Sequence, residues 1–96
     1  MRKIFFTPLA IEHLQSIYEY IAEDNQYYAE EVLQKIHHSI DFLEHFPLIW
    51  TVIEGDTRYL VEPKYRYKVI YRVYAETIEI VSISKYREKW QVFDIE

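Results

Sequence analysis

From Tyr65 to Tyr74 the odd positions are Tyr65, Tyr67, Val69, Tyr71 and Val73, and the even ones are Arg66, Lys68, Ile70, Arg72 and Tyr74. Side chains of an extended strand alternate between faces, so the even set puts Arg66, Lys68 and Arg72 in one column, roughly 7 Å apart per two-residue step. A cationic column of this kind meets an anion: RNA phosphate, a nucleotide-bound enzyme or an acidic protein segment. An ordinary solvated sheet face accounts for the same residues, and residue type alone leaves both readings open. Further along, Tyr86 stands between Lys85 and Arg87. A phenol with a pKa of about 10 moves a proton near neutrality only with help from adjacent cations, for which Lys85, Arg87 and Lys68 are the candidates. The plain alternative is a packed aromatic, one of ten tyrosines.

Other chemistries are poorly supplied. His13, His37, His38 and His45 fall on predicted helices, at spacings that make no convincing metal site, so they read as surface or boundary residues and no metal or cofactor is expected. There is no cysteine, hence no disulfide and no thiolate ligand. The net charge of −5 argues against indiscriminate nucleic-acid binding, which depends on cationic surface to displace counterions. Its distribution is uneven: residues 1–56 hold 3 Lys/Arg against 10 Asp/Glu, and residues 57–96 hold 8 against 6.

The elements that must position these residues follow from periodicity. Ninety-six residues, half of them apolar, suit one domain with a single core. The apolar run at the N-terminus is too short for a signal-peptide core or a membrane span, so a cytoplasmic protein is expected. Lys3 to Phe6 is β-prone, and Thr7-Pro8 supplies an N-cap followed by a proline at the first helical position. Ala10, Leu14, Ile17, Tyr18 and Ile21 then recur at helical spacing, and this helix ends near Asp24 or Asn25. Asn25 caps a second helix, with Ala29, Val32, Leu33, Ile36, Ile40 and Leu43 as its stripe, until Pro47 stops it after Phe46. From Arg58 the period becomes alternating. Strands are expected at about Arg58 to Val61, Tyr65 to Tyr74 and Thr77 to Ile83, with Pro63-Lys64 and Ala75-Glu76 at the corners. The fold class is therefore α+β: a two-helix hairpin on one face of a small antiparallel sheet, in the order β-α-α-β-β-β.

Three blocks in this order resemble the RelE/ParE superfamily of toxins, also called plasmid-stabilisation proteins. They are Thr7-Pro8-Leu9-Ala10 with Leu14 and the run Ile17 to Asn25, then Ala29 to Leu43 with Pro47, and finally Tyr67 to Val73 followed by Ile78 to Ile83. The resemblance covers nearly the whole chain. It implies the toxin of a type II toxin-antitoxin pair, a cognate antitoxin as partner, contact with DNA only through that antitoxin, and growth arrest as the outcome.

Two modes of action are implied by the superfamily: inhibition of DNA gyrase by ParE-like members, and cleavage of messenger RNA on the ribosome by RelE-like members. Metal-free RNA cleavage needs a base for the 2′-hydroxyl, cations for the developing phosphate charge and an acid for the leaving oxygen. By resemblance to ribonuclease members these would be Arg66, Lys68, Arg72 and Tyr86, but Lys68 stands where those members carry Arg and lacks its planar bidentate fork. No histidine lies in the sheet half. The balance favours a ParE-like gyrase inhibitor, with a ribosome-dependent endoribonuclease or an inactive binding module as alternatives. The surface for target or antitoxin would comprise Arg58, Arg66, Lys68, Arg72, Lys85, Tyr86, Arg87 and Trp90. Trp90, Val92 and Phe93 lend the C-terminal region an apolar edge that either packs on the sheet or contacts a partner. Trp50 departs from the family pattern, where a glycine often stands, and an indole there fills a groove or anchors a partner.

Overall fold

Thr7 and Asn25 decide where the helices begin. The computed structural model describes residues 2–86, with β1 at Lys3–Phe6, α1 at Pro8–Ala22 and α2 at Gln26–Asp41, the last followed by a 3-10 turn at Phe42–Glu44. The Thr7 side chain accepts from the Ala10 N–H at 3.0 Å, and Asn25 Oδ1 accepts from the Tyr28 N–H at 3.0 Å, each satisfying a donor that the first helical turn leaves unpaired. Four more strands follow: β2 at Thr51–Glu54, β3 at Thr57–Val61, β4 at Tyr67–Val73 and β5 at Thr77–Lys85.

All five strands form one sheet in the order β1-β5-β4-β3-β2. The pairs from β5 to β2 are antiparallel, whereas β1 runs parallel to β5. The α+β hairpin-on-sheet architecture is as expected, but with one more strand and a parallel edge pair. The additional strand, β2, turns into β3 through Gly55, the sole glycine of the chain, at φ +55°, a conformation that side chains with a Cβ seldom adopt.

The core lies between α2 and the sheet. Val32, Ile36, Ile40 and Leu43 meet Leu60, Val69, Tyr71, Ile78, Ile80 and Ile83, all essentially inaccessible to solvent. On α1 only Ala10 is fully buried; Leu14, Ile17 and Ile21 are half-buried at the margin. Strand β4 behaves as its alternation predicts, with Val69 and Tyr71 buried and Arg72 exposed. Strand β5 does not alternate throughout. Its core residues are Ile78 and Ile80, then Ile83, and the register slips so that Ile70 pairs with Ser82 while Tyr71 pairs with Ile80. The extra residue, Val81, is a β-bulge that resets the side-chain parity; without it Ser82 and Ser84 would point into the core.

α1 takes up backbone groups along this part of β5. The Thr7 N–H donates to the Ile80 carbonyl at 3.0 Å and the Thr7 hydroxyl to the Val81 carbonyl at 2.9 Å, while the Ile83 N–H donates to His13 Nδ1 at 3.1 Å. His13 thus has a tertiary role that its position on a helix did not disclose. Thr7 serves both the helix start and the bulge, so Thr7→Ala is expected to lower the unfolding free energy by about 1–2 kcal/mol, with Thr7→Ser recovering most of it. Urea denaturation of the three proteins measures this. Among the described residues no helix is long and apolar enough to cross a membrane.

Candidate functional site

The turn from β3 to β4 is built by a buried carboxylate. Glu62, 1 % exposed, accepts from the Lys64 N–H at 2.8 Å on one oxygen and from the Tyr65 N–H at 2.7 Å on the other. Its carbonyl accepts from the Arg66 N–H at 2.9 Å and its own N–H donates to the Tyr67 carbonyl at 2.8 Å. The corner is therefore wider than the expected Pro63-Lys64 pair. Arg66 does not continue the strand, but sits in the left-handed region at φ +64°.

A second set of contacts ties this turn to α2. Glu31 accepts from Lys64 Nζ at 2.6 Å and from the Tyr65 hydroxyl at 2.6 Å, and Tyr65 packs edge-on against Tyr28 with ring centroids 5.3 Å apart. The Lys64 hydrogen bond, helped by that of Tyr65, holds the Glu31 carboxyl below its ordinary value, and the same hydrogen bond raises the Lys64 ammonium. Tyr65 is raised by its bond to Glu31 and by burial, and Tyr67 chiefly by burial.

Three of the expected cations gather at this end of the sheet, each over a tyrosine ring. The Arg66 guanidinium lies 5.2 Å from the Tyr86 centroid, Lys68 Nζ lies 5.3 Å from that of Tyr59 and Lys85 Nζ lies 4.6 Å from that of Tyr67. The Lys85 ammonium also donates to the Tyr65 carbonyl, and the Tyr86 N–H donates to the Arg66 carbonyl at 2.7 Å. Lys85 pairs with Tyr67 in register, on the helix side of the sheet, so it does not share a face with Lys68. There it borders a groove of about 520 Å³ whose other walls are Ser16, Ile17, Tyr20 and Tyr67.

Arg72 and Arg58 are placed elsewhere. Arg72 is four residues from Lys68, roughly 13 Å along the strand, too far for both to hold one phosphate. It is 3.8 Å from Glu79 and bonds to the Thr57 hydroxyl at 3.3 Å. Arg58 turns toward the loop after α2, donating to the Leu48 carbonyl at 3.0 Å and the Trp50 carbonyl at 2.8 Å. Trp50 packs against the core, and its indole N–H is buried without an acceptor among the described residues. Arg87, Trp90, Val92 and Phe93 lie outside the described residues. Among those described, no group of three or more His, Cys, Asp or Glu side chains could hold a metal ion.

The site thus consists of two parts at one end of the molecule: Lys68 on the face away from the helices, with the Arg66–Tyr86 pair just beyond the strand ends, and the aromatic groove closed by Lys85 on the helix side. Sequence reasoning found these cations but missed Glu62, Glu31 and the groove. The signals present were a glutamate directly before a proline, where side chains cap turns, and tyrosines at both ends of the hairpin.

The fold has relatives of known structure. The chain is similar to a chain of the chromosomal ParDE toxin-antitoxin system from P. aeruginosa at a TM-score of 0.78 and 20% identity, over 91% of this chain and 98% of that one. A chain of the intact E. coli RelBE toxin-antitoxin complex matches at a TM-score of 0.69 and 13% identity, over 92% and 100%. The Staphylococcus aureus YoeB dimer matches at 0.59 and 17%, over 91% and 98%. No curated protein sequence matches significantly. The family model for the ParE toxin of the type II toxin-antitoxin system parDE matches residues 4–90, nearly the whole sequence. With that match over the same elements that build the sheet, helices and site, the chain belongs to the ParE toxin family of type II toxin-antitoxin systems.

Proposed function

We propose that this chain is the toxin of a cytoplasmic pair, neutralised by a cognate antitoxin, and that it acts by binding and inhibiting DNA gyrase rather than by cutting RNA. The antitoxin partner is supported by family membership and by the ParDE and RelBE assemblies in which its structural relatives occur. The observation that favours binding over chemistry is the dispersal of the cations. Arg72 lies roughly 13 Å from Lys68, Lys85 faces the other side of the sheet, and Arg58 is engaged by loop carbonyls. Phosphoryl transfer requires cations and a proton donor converging on one phosphate. An aromatic groove with one lysine at its rim is better suited to an amphipathic protein segment.

The test is controlled expression with and without the product of the adjacent open reading frame, following growth, DNA supercoiling and transcript integrity together. Growth arrest with altered supercoiling and intact transcripts, relieved by the neighbouring product, is the expected result. Arrest with cut transcripts would overturn the gyrase reading. The ribonuclease alternative has one observation in its favour, the packing of the Arg66 guanidinium on the Tyr86 ring just before the strand that carries Lys68. It requires Lys68→Ala and Tyr86→Phe each to reduce transcript cleavage by roughly 100-fold or more.

A further inference from the structure

His13 ties α1 to β5 beyond the point where β1 ends. The last pair between those strands is Phe6 with Ile80, after which the chain turns into α1 and the helix side supplies partners for the β5 edge. Thr7 serves the Ile80 and Val81 carbonyls, and six residues on, His13 Nδ1 accepts from the Ile83 N–H at 3.1 Å. Among the described residues this is the one hydrogen bond from a side chain within Pro8–Ala22 to the sheet. The ring is half-buried there, whereas His37, His38 and His45 are exposed.

The bond can be made by one form of the ring alone. A backbone N–H only donates, so Nδ1 must present its lone pair and the neutral ring carries its proton on Nε2. An imidazolium is a donor at both nitrogens. Protonation therefore breaks the contact and leaves the Ile83 N–H without this acceptor. Among the described residues His13 makes no ion pair that would hold the charged ring in place. One turn away on α1 stand Leu9, Ala10, Ser16 and Ile17, with the exposed Glu12 beside it in sequence. On β5, Lys85 turns its ammonium to the Tyr65 carbonyl and Glu79 lies by Arg72. Lys3 of β1 and Glu30, Lys35 and His37 of α2 are exposed.

Both partners of this bond border the aromatic groove. Ser16 and Ile17 follow His13 by one helical turn, and Lys85 follows Ile83 by two strand positions, with Tyr67 opposite it in register. We propose that His13 is an acid-sensitive latch, which fixes the α1 wall of the groove against the β5 wall while its ring is neutral and releases it when the ring takes up a proton. The Thr7 contacts do not titrate, so the start of α1 stays fastened and the loosening falls on the half of the helix that lines the groove. The latch is present at the alkaline side of the range in which histidines charge, about pH 8 to about pH 5, and is lost as pH falls through it. It acts on the groove whichever partner the groove serves.

The measurement is an NMR pH titration of the isotopically labelled full chain, with His13→Asn and His13→Ala beside it. In the native protein the imidazole nitrogens are expected to report a neutral ring protonated on Nε2 at the alkaline end. As that ring charges, protection of the Ile83 amide, corrected for the intrinsic effect of pH on exchange, is expected to fall roughly fivefold or more. The Ser16, Ile17 and Tyr67 amides shift along the same curve. His13→Asn puts a carbonyl oxygen where Nδ1 stands and does not titrate, so its Ile83 protection is expected to hold across the range. His13→Ala lacks that protection throughout, and should it fail to fold, the native protein and the Asn variant still decide. Constant Ile83 protection in the native protein, a neutral ring protonated on Nδ1, or an equal pH response in His13→Asn would overturn the proposal. So would loss of Ile83 protection with the groove amides unmoved, which confines the effect to a single bond.

Discussion

Tyr71→Ala is expected to lower the unfolding free energy by about 3–5 kcal/mol, enough to unfold a large fraction of a domain whose total stability is of order 5–15 kcal/mol. Tyr71 is fully buried at the centre of β4, and its hydroxyl donates to the Pro47 carbonyl at 2.7 Å, fastening the loop after α2 onto the sheet. The ring fills core volume and the hydroxyl holds the loop, so two variants separate these contributions. Tyr71→Phe keeps the ring and leaves the carbonyl without its donor, a loss of about 1–2 kcal/mol. Urea unfolding of the three proteins gives the comparison, and a Phe variant as unstable as the Ala variant would refute this division.

The same phenol has an alkaline signature. Burial pushes its pKa up to about 12, against a smaller opposing effect of the Arg58 charge. The unfolded chain ionises its tyrosines near pH 10, so the folded state favours the neutral phenol. That contribution is complete below about pH 10 and is lost as pH rises toward about 12. Stability should fall through this window in the native protein and less steeply in Tyr71→Phe. Some alkaline dependence persists, because Tyr65 and Tyr67 are also raised. Chemical unfolding at a series of pH values, with phenolate absorbance as the second readout, measures both.

Glu62→Ala is expected to cost about 2–4 kcal/mol, because it leaves two part-buried backbone donors, the Lys64 and Tyr65 N–H groups, without acceptors. Glu62→Gln retains one amide oxygen and should fall between. The change also reaches the candidate site. The turn that Glu62 closes sets Tyr65 against Glu31 and Tyr28 and fixes Arg66 in its left-handed conformation. Amide exchange in Glu62→Ala should therefore rise first from Lys64 to Tyr67, while the β4–β5 pairs from Val69 onward stay protected. Uniform loss of protection would mean that Glu62 supports the whole sheet rather than its turn.

Local chemistry was legible where a few neighbouring residues decide the outcome. Thr7-Pro8 and Asn25 start the helices because their side chains reach N–H groups three residues on, whatever the rest of the chain does. Ala75-Glu76 turns the last hairpin, with the Tyr74 N–H donating to the Thr77 carbonyl at 2.9 Å. The alternation of β4 identified Val69 and Tyr71 as core, since a strand covered on one face has only two sides to offer. The resemblance to the ParE toxins was carried by these same stretches.

Strand β2 escaped notice because an edge exposed on both faces has no alternation to detect. The parity change in β5 was hidden because a bulge is visible only in the pairing of Ile70 with Ser82 and Tyr71 with Ile80. Of the candidate site, the identities of the cations were readable and their grouping was not. Arg66, Lys68 and Arg72 look like one column in the sequence, yet a left-handed turn removes the first from the strand and four residues of β-rise separate the other two. Arg58 and Lys85 were equally plausible as surface charges until carbonyls brought close by the fold engaged them. The sequence by itself determined the helix starts, the core face of β4 and the family, all of which depend on order and short-range spacing. Only the tertiary structure decided the partners of each charge and the faces they occupy, because those depend on backbone groups in other elements and loops, eight, ten and twenty positions away for Arg58 and Lys85, beyond the reach of local periodicity.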